Sequence, residues 1–186
     1  MMLNRKFNQV FKLVRCIMAV MLILLPLSTI QAEETVTFSI HSFIIEGNTV
    51  MDKEILTRTV RDFTGDGKTA EDVELARDAL EKLYHTTGYP TVLVNIPEQT
   101  VDDGLVRLQV IESRIKRVLV TGNEYYTMEY IKEHLPGIQP GNILYLPQIR
   151  EELAAINRTR DLKVAPVLIP GRELGTINVE LKAEDA

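Results

Sequence analysis

The sequence predicts an α+β fold: two tandem copies of one small module, each ordered strand, helix, helix, strand, strand, with a three-stranded mixed sheet covered on one face by two helices. Three observations lead there. An apolar stretch running into Gly-Asn occurs twice, as Phe43-Ile44-Ile45-Glu46-Gly47-Asn48 and as Val118-Leu119-Val120-Thr121-Gly122-Asn123, offset by 75 residues. After each pair, apolar residues recur first at helical and then at alternating spacing. Prolines fall at matching places in the second strand of each copy.

In the first copy, residues 36–112, Asp52 stands as N-cap of a helix whose Ile55, Leu56, Thr59, Val60 and Phe63 fall at three- and four-residue steps. Thr64 to Lys68 reads as a polar, Gly-rich loop. Thr69-Ala70-Glu71-Asp72 has the form of a capping box with a shortened acid, and Val73, Ala76, Leu80, Leu83 and Tyr84 give the next helix one apolar stripe as far as Gly88. After Gly88-Tyr89-Pro90 the period changes to two. Val92, Val94 and Ile96 share a face, and beyond the Asp103-Gly104 turn so do Val106, Leu108 and Val110, which makes a hairpin.

The second copy, residues 113–184, repeats this order. Ile115 to Val120 is the first strand, Thr127 caps a short helix carrying Ile131 and Leu135, and Pro136-Gly137 stops it. Pro147 suits the first turn of the next helix, where Ile149, Leu153 and Ile156 lie along one side. Leu162 to Ile169 and Thr176 to Leu181 form the closing hairpin around a turn from Pro170-Gly171 to Gly175.

The prolines arrange the strands. Proline cannot donate to a ladder, so it is confined to sheet edges, strand ends or bulges. Pro97 ends the second strand of the first copy, and Pro166 and Pro170 interrupt or end that of the second. The second strand is therefore an edge in both copies, its hairpin partner is central, and the first strand lies beyond. Gly47-Asn48 and Gly122-Asn123 read as backbone devices at strand-to-helix turns, since both residue types tolerate the left-handed conformation. Gly88, Gly104 and Gly175 read as turn residues of the same kind.

Residues 1–32 have a positive flank of Arg5, Lys6, Lys12 and Arg15, an apolar run from Cys16 to Leu27, and a small-residue exit at Ala32. That is the form of a cleavable signal peptide cut after Ala32, because an apolar run of about a dozen residues is too short to span a bilayer. Its removal takes the only cysteine and leaves 17 basic against 26 acidic residues. An acidic chain is repelled by phosphate, which argues against nucleic acid and anionic membrane surfaces as partners. Without disulfides, stability rests on packed cores.

No set of residues supports catalysis. Thr64-Gly65-Asp66-Gly67-Lys68-Thr69 has the Gly-Lys-Thr of a phosphate loop, but Asp62 stands where that fingerprint needs glycine. His41, His85 and His134 have no second histidine or cysteine at metal-ligand spacing, and Ser39 and Ser42 lie in a strand with no recognisable base. The acid pairs Glu33-Glu34, Glu71-Asp72, Asp102-Asp103 and Glu151-Glu152 fit helix starts, turns and solvated faces. Asn157-Arg158-Thr159 matches a glycosylation sequon, a pattern common by chance. The expectation is a non-enzymatic protein with no cofactor, no metal and no small-molecule substrate.

Tyr84, Gly88-Tyr89-Pro90, Pro97, Gln99, Gly104, Val106 and Gly122-Asn123 resemble the pattern of polypeptide-transport-associated (POTRA) domains of two-partner secretion transporters, the hemolysin-activator or ShlB type. Asn157 to Glu184, with Leu168-Ile169-Pro170-Gly171 and Gly175, is similar to the second such domain. The resemblance implies a periplasmic location at the outer membrane and an exported protein, captured in extended form, as partner. It also implies an outer-membrane β-barrel, for which the few residues after the second copy are too few. The residues themselves offer a route for capture: an edge strand exposes backbone groups to which an extended peptide can add. In the first copy that edge is Thr91, Val92, Leu93, Val94, Asn95 and Ile96, with the groove toward the helix beginning at Thr69 beside it. A scaffold that docks other envelope proteins is the alternative.

Overall fold

The structure is a computed structural model that describes residues 36–186, so the expected leader lies outside the described residues. The elements follow the expected order, with β1 (Phe38–Ile40) and β2 (Ser42–Glu46) leading into α1 (Lys53–Val60). A single 3-10 turn, Arg61–Phe63, extends α1 and is followed by β3 (Gly65–Lys68), α2 (Ala70–Thr86) and the hairpin of β4 (Val92–Asn95) and β5 (Leu105–Glu112). The second module holds β6 (Arg114–Thr121), α3 (Met128–Glu133), α4 (Leu146–Ile156), β7 (Leu162–Pro170) and β8 (Thr176–Asp185).

The strand orders are β2-β5-β4 and β6-β8-β7. In each sheet the central strand is parallel to the first and antiparallel to its hairpin partner, so both sheets are mixed. The prolines had placed the strands in this order, with β4 and β7 at an edge. Both helices of a module lie on one face of its sheet, and the strands alternate accordingly. Val106, Leu108 and Val110 of β5 are buried with Leu56, Leu80 and Tyr84, and Ile177, Val179 and Leu181 of β8 with Ile131, Ile149 and Ile156. Each module thus has its own core.

One segment departs from expectation. Residues 65–68, read as loop, form β3, which pairs antiparallel with β1 as a separate two-stranded ribbon. Gly-Asp-Gly-Lys has no apolar alternation to announce a strand, and the pairing is made by backbone, supported by Ser39 Oγ donating to Asp66 Oδ1 at 2.7 Å. Lys68 of the phosphate-loop look-alike reaches Asp72 at 3.5 Å, beside the Thr69 cap of α2. The α1 stripe is also narrower than its spacing suggested: Leu56 and Val60 are buried, whereas Ile55 is 43% exposed.

The two Gly-Asn turns are built alike. Gly47 has φ +84° and Gly122 φ +81°, and a Cβ at these positions would lie 2.2 Å from the Val110 carbonyl oxygen and 2.4 Å from that of Ala183. Both glycines cross the central strand where no side chain fits. Asn48 Nδ2 donates to the Met51 carbonyl at 2.7 Å, and Asn123 Nδ2 to that of Tyr126 at 2.9 Å. A carboxylate at or near the end of the central strand then takes the next amides. Glu112 accepts from the N–H groups of Thr49 (2.7 Å) and Val50 (3.1 Å). Asp185 accepts from those of Glu124, Tyr125 and Tyr126 at 2.7–2.9 Å. In the first module the Tyr84 hydroxyl donates to Asn48 Oδ1 at 2.7 Å, and burial, followed by the Glu112 charge, pushes its phenol pKa up.

The amide donors, Tyr126 foremost, hold the Asp185 carboxyl below its ordinary value of 3.8. A depressed native pKa adds stability that is complete above the unfolded value and disappears as pH falls through the native one. Asp185→Asn should therefore be less stable than the parent at neutral pH, with the gap closing below about pH 4. Thermal melts from pH 2 to 7 test this, and a gap independent of pH would contradict it.

The modules meet through a short, close joint. Only Ser113, itself buried, separates β5 from β6. The Leu146 N–H donates to the Gly88 carbonyl at 2.8 Å, and the Tyr89 and Tyr145 rings stand 5.0 Å apart. Gly88 is buried with φ +107°, and a Cβ there would lie 2.7 Å from Pro147 Cδ and 2.9 Å from Tyr145 Cε2. Its lack of a side chain thus serves the contact between modules as well as the end of α2.

Candidate functional site

The structure places Thr91–Ile96 along one edge of the first sheet, with Val92–Asn95 as regular strand. The strand splits by face. Val92 and Val94 point into the core at 0% and 5% exposure, while Leu93, at 46%, faces out with Asn95, and Ile96 is half-buried at the rim of the core. Two of the six side chains are therefore core, and an incoming chain can reach those residues only by their backbone.

That backbone is already engaged. The Val94 N–H donates to Glu81 Oε2 at 2.9 Å, so it points away from β5 toward α2. The Val92 carbonyl lies 2.8 Å from His85 Nε2, and because a carbonyl can only accept, that nitrogen carries the hydrogen. Successive residues of a strand direct their backbone groups to alternate sides, which leaves those of Leu93 and Asn95 to the β5 ladder. Glu81 and His85 are one helical turn apart on α2. A four-residue step on a helix rises about 6 Å and a two-residue step on a strand about 6.6–6.8 Å, so the pair matches the repeat of β4.

The second edge is closed by different chemistry. Asn157, the residue that ends α4, donates from Nδ2 to the Val164 carbonyl at 3.0 Å and accepts the Val164 N–H on Oδ1 at 2.7 Å. The sequon asparagine thus stands in for a neighbouring strand. Beyond the end of β4, Gln99 does the same for the exposed length of β5, with bonds of 2.7 and 2.9 Å to the N–H and carbonyl of Arg107. Sequence reasoning missed Glu81 and the roles of His85 and Asn157, because their meaning depends on which strand lies beside them.

The turn residues lie apart from this edge in purpose. Gly47-Asn48 and Gly122-Asn123 shape the turns after β2 and β6, Gly104 closes the β4–β5 connection against His41, and Gly175 ends the β7–β8 connection next to Ile111. Near the start of β4, Thr91 and Leu93 join Leu168, Ile169, Leu174 and Ile177 around a cleft of about 540 Å³ between the modules. No group of metal-ligating side chains occurs among the described residues, and no helix among them is long and apolar enough to cross a membrane.

Comparison with known proteins places this geometry. Residues 38–113 match the POTRA domain, ShlB-type. Comparison with curated protein sequences gives no match. Among solved structures, CdiB from Escherichia coli is similar with a TM-score of 0.72 and 25% identity over 83% of this chain, which spans only 28% of the CdiB chain. POTRA1-3 of the periplasmic domain of Omp85 from Anabaena gives a TM-score of 0.70 at 18% identity, covering 80% of this chain and 66% of that one. The N-terminal domain of Omp85 from the thermophilic cyanobacterium Thermosynechococcus elongatus gives 0.65 at 20% identity, covering 80% and 67%. At those identities the Omp85 matches speak for the fold alone. Residues 38–113 thus carry the match to the ShlB-type POTRA domain, and the described residues have a POTRA-like fold.

Proposed function

We propose that this chain is the periplasmic polypeptide-binding region of a two-partner secretion transporter. It recognises an exported protein of the hemolysin or adhesin type in extended form and delivers it to an outer-membrane β-barrel. The role is binding rather than catalysis. The observation that carries the reading is an edge strand, β4, whose outward Val94 N–H and Val92 carbonyl are each held by a side chain, in a domain matching the ShlB-type POTRA family. An extended polypeptide offers the same donor and acceptor at the same two-residue repeat, with main-chain bonds giving affinity. The exposed Leu93 and the cleft beside it offer apolar contact for alternate side chains of the guest. The acidic surface disfavours polyanions as competing ligands.

The test is to add unfolded N-terminal segments of large exported proteins to the full chain and follow its backbone amides by NMR. Shifts concentrated at Val92–Ile96 and the facing side of α2 are expected. Val94→Pro, which deletes the outward N–H, should weaken binding at least about tenfold, provided melts show that the variant stays folded. Binding elsewhere, or no binding to any such segment, would sink the reading.

A further inference from the structure

An edge strand with open N–H groups pairs indiscriminately with other chains, and proteins protect such edges. Here the protection comes from hydrogen-bonding side chains that reproduce a strand's pattern. Glu81 accepts from Val94, His85 donates to Val92, and Asn157 does both for Val164. On β7 the alternation that turns Val164 outward also turns Pro166, Leu168 and Pro170 outward, and the two prolines have no N–H to offer. Leu162, at the start of β7, and Leu168 are left as outward N–H groups with no side chain bonded to them among the described residues. The same solution thus recurs in two modules with different residue types, each supplied by the helix that precedes the edge strand.

We propose that these side chains form a displaceable lock, so that a polypeptide enters the edge by exchanging with Glu81 and His85 rather than by adding to an empty strand. The proposal rests on the reading that β4 receives a polypeptide, and it concerns how that site is regulated. The exchange conserves hydrogen bonds. A guest N–H replaces that of His85 on the Val92 carbonyl, and a guest carbonyl replaces Glu81 on the Val94 N–H, while both freed side chains turn to water. Glu81 is only half-buried and His85 is exposed, so leaving the edge opens no cavity. Isolated donors or acceptors cannot complete the exchange, whereas an extended backbone matches both positions together. The lock therefore favours an extended chain over a folded surface and keeps two copies of this protein from joining edge to edge.

The experiment compares the full chain with the double variant Glu81→Ala, His85→Ala and with the conservative Glu81→Gln, whose side-chain oxygen still accepts. Three readouts are taken: exchange of the Val94 amide, self-association by sedimentation velocity, and binding of a synthetic decapeptide of alternating valine and threonine flanked by lysines. The double variant is expected to exchange the Val94 amide at least about tenfold faster, to self-associate at concentrations where the parent is less associated, and to bind the peptide about tenfold more tightly. Glu81→Gln should stay near the parent in all three, and Asn157→Ala should speed exchange at Val164 alone. Unchanged Val94 exchange in the double variant would overturn the lock, as would equal peptide binding by parent and variant when both bind. If neither binds the peptide but amide exchange and self-association rise, the lock stands and the polypeptide reading of the edge fails.

Discussion

Gly47→Val is expected to unfold the first module or leave it marginal. The substituted residue would be a β-branched side chain at φ +84°, a conformation that costs an L-residue roughly 1–2 kcal/mol. Its Cβ would also start 2.2 Å from the Val110 carbonyl oxygen, and that atom belongs to the backbone of the central strand. Neither partner can yield as a flexible side chain does. Strain and displacement together should cost at least about 4 kcal/mol, among the largest effects of single substitutions. For a module of this size that is a fall in melting temperature on the order of 20 °C. Gly122→Val should act in the same way on the second module, where an added Cβ would lie 2.4 Å from the Ala183 carbonyl oxygen. Residue-resolved amide exchange separates the two cases, since each variant should lose protection first in its own sheet. A melt within a few degrees of the parent for either would show that the turn does not need glycine.

Gly88→Val should uncouple the modules while leaving each core intact. Its added carbons meet Pro147 and Tyr145, which belong to the second module, and the left-handed φ of +107° adds strain of its own. The residue cannot keep its place without parting the Tyr89 and Tyr145 rings or losing the Leu146 to Gly88 hydrogen bond of 2.8 Å. A loss of roughly 2–4 kcal/mol is expected, taken mainly from the contact between modules. Calorimetry should show one transition in the parent and two, at lower temperature, in the variant. A single unshifted transition would mean that the joint contributes little. Because the cleft beside β4 takes residues from both modules, the variant should also weaken polypeptide binding even though the β4 edge itself is unchanged.

The order of elements, the two-module division of the fold and the central position of each closing strand were legible because they follow from local rules. Helical and alternating periodicity mark the faces that must be buried, and proline excludes itself from a central ladder. The Gly-Asn pairs marked the repeat for a physical reason that the structure supplies: both glycines cross a carbonyl of the central strand. β3 escaped notice because its pairing with β1 uses backbone and a surface serine, with no apolar face to leave a pattern. Thr91–Ile96 could be read from the sequence as an edge strand, but not the state of that edge. Whether its N–H and carbonyl groups are open depends on the helix beside it, and the sequence distance from Val94 to Glu81, or from Val164 to Asn157, carries no sign of contact. By itself, then, the sequence determined which strands are edges, since that is a matter of backbone chemistry at single residues. Only the tertiary structure decided that those edges are held at Val92, Val94 and Val164, since a hydrogen bond between a helix side chain and a strand exists only once packing has set them at bonding distance.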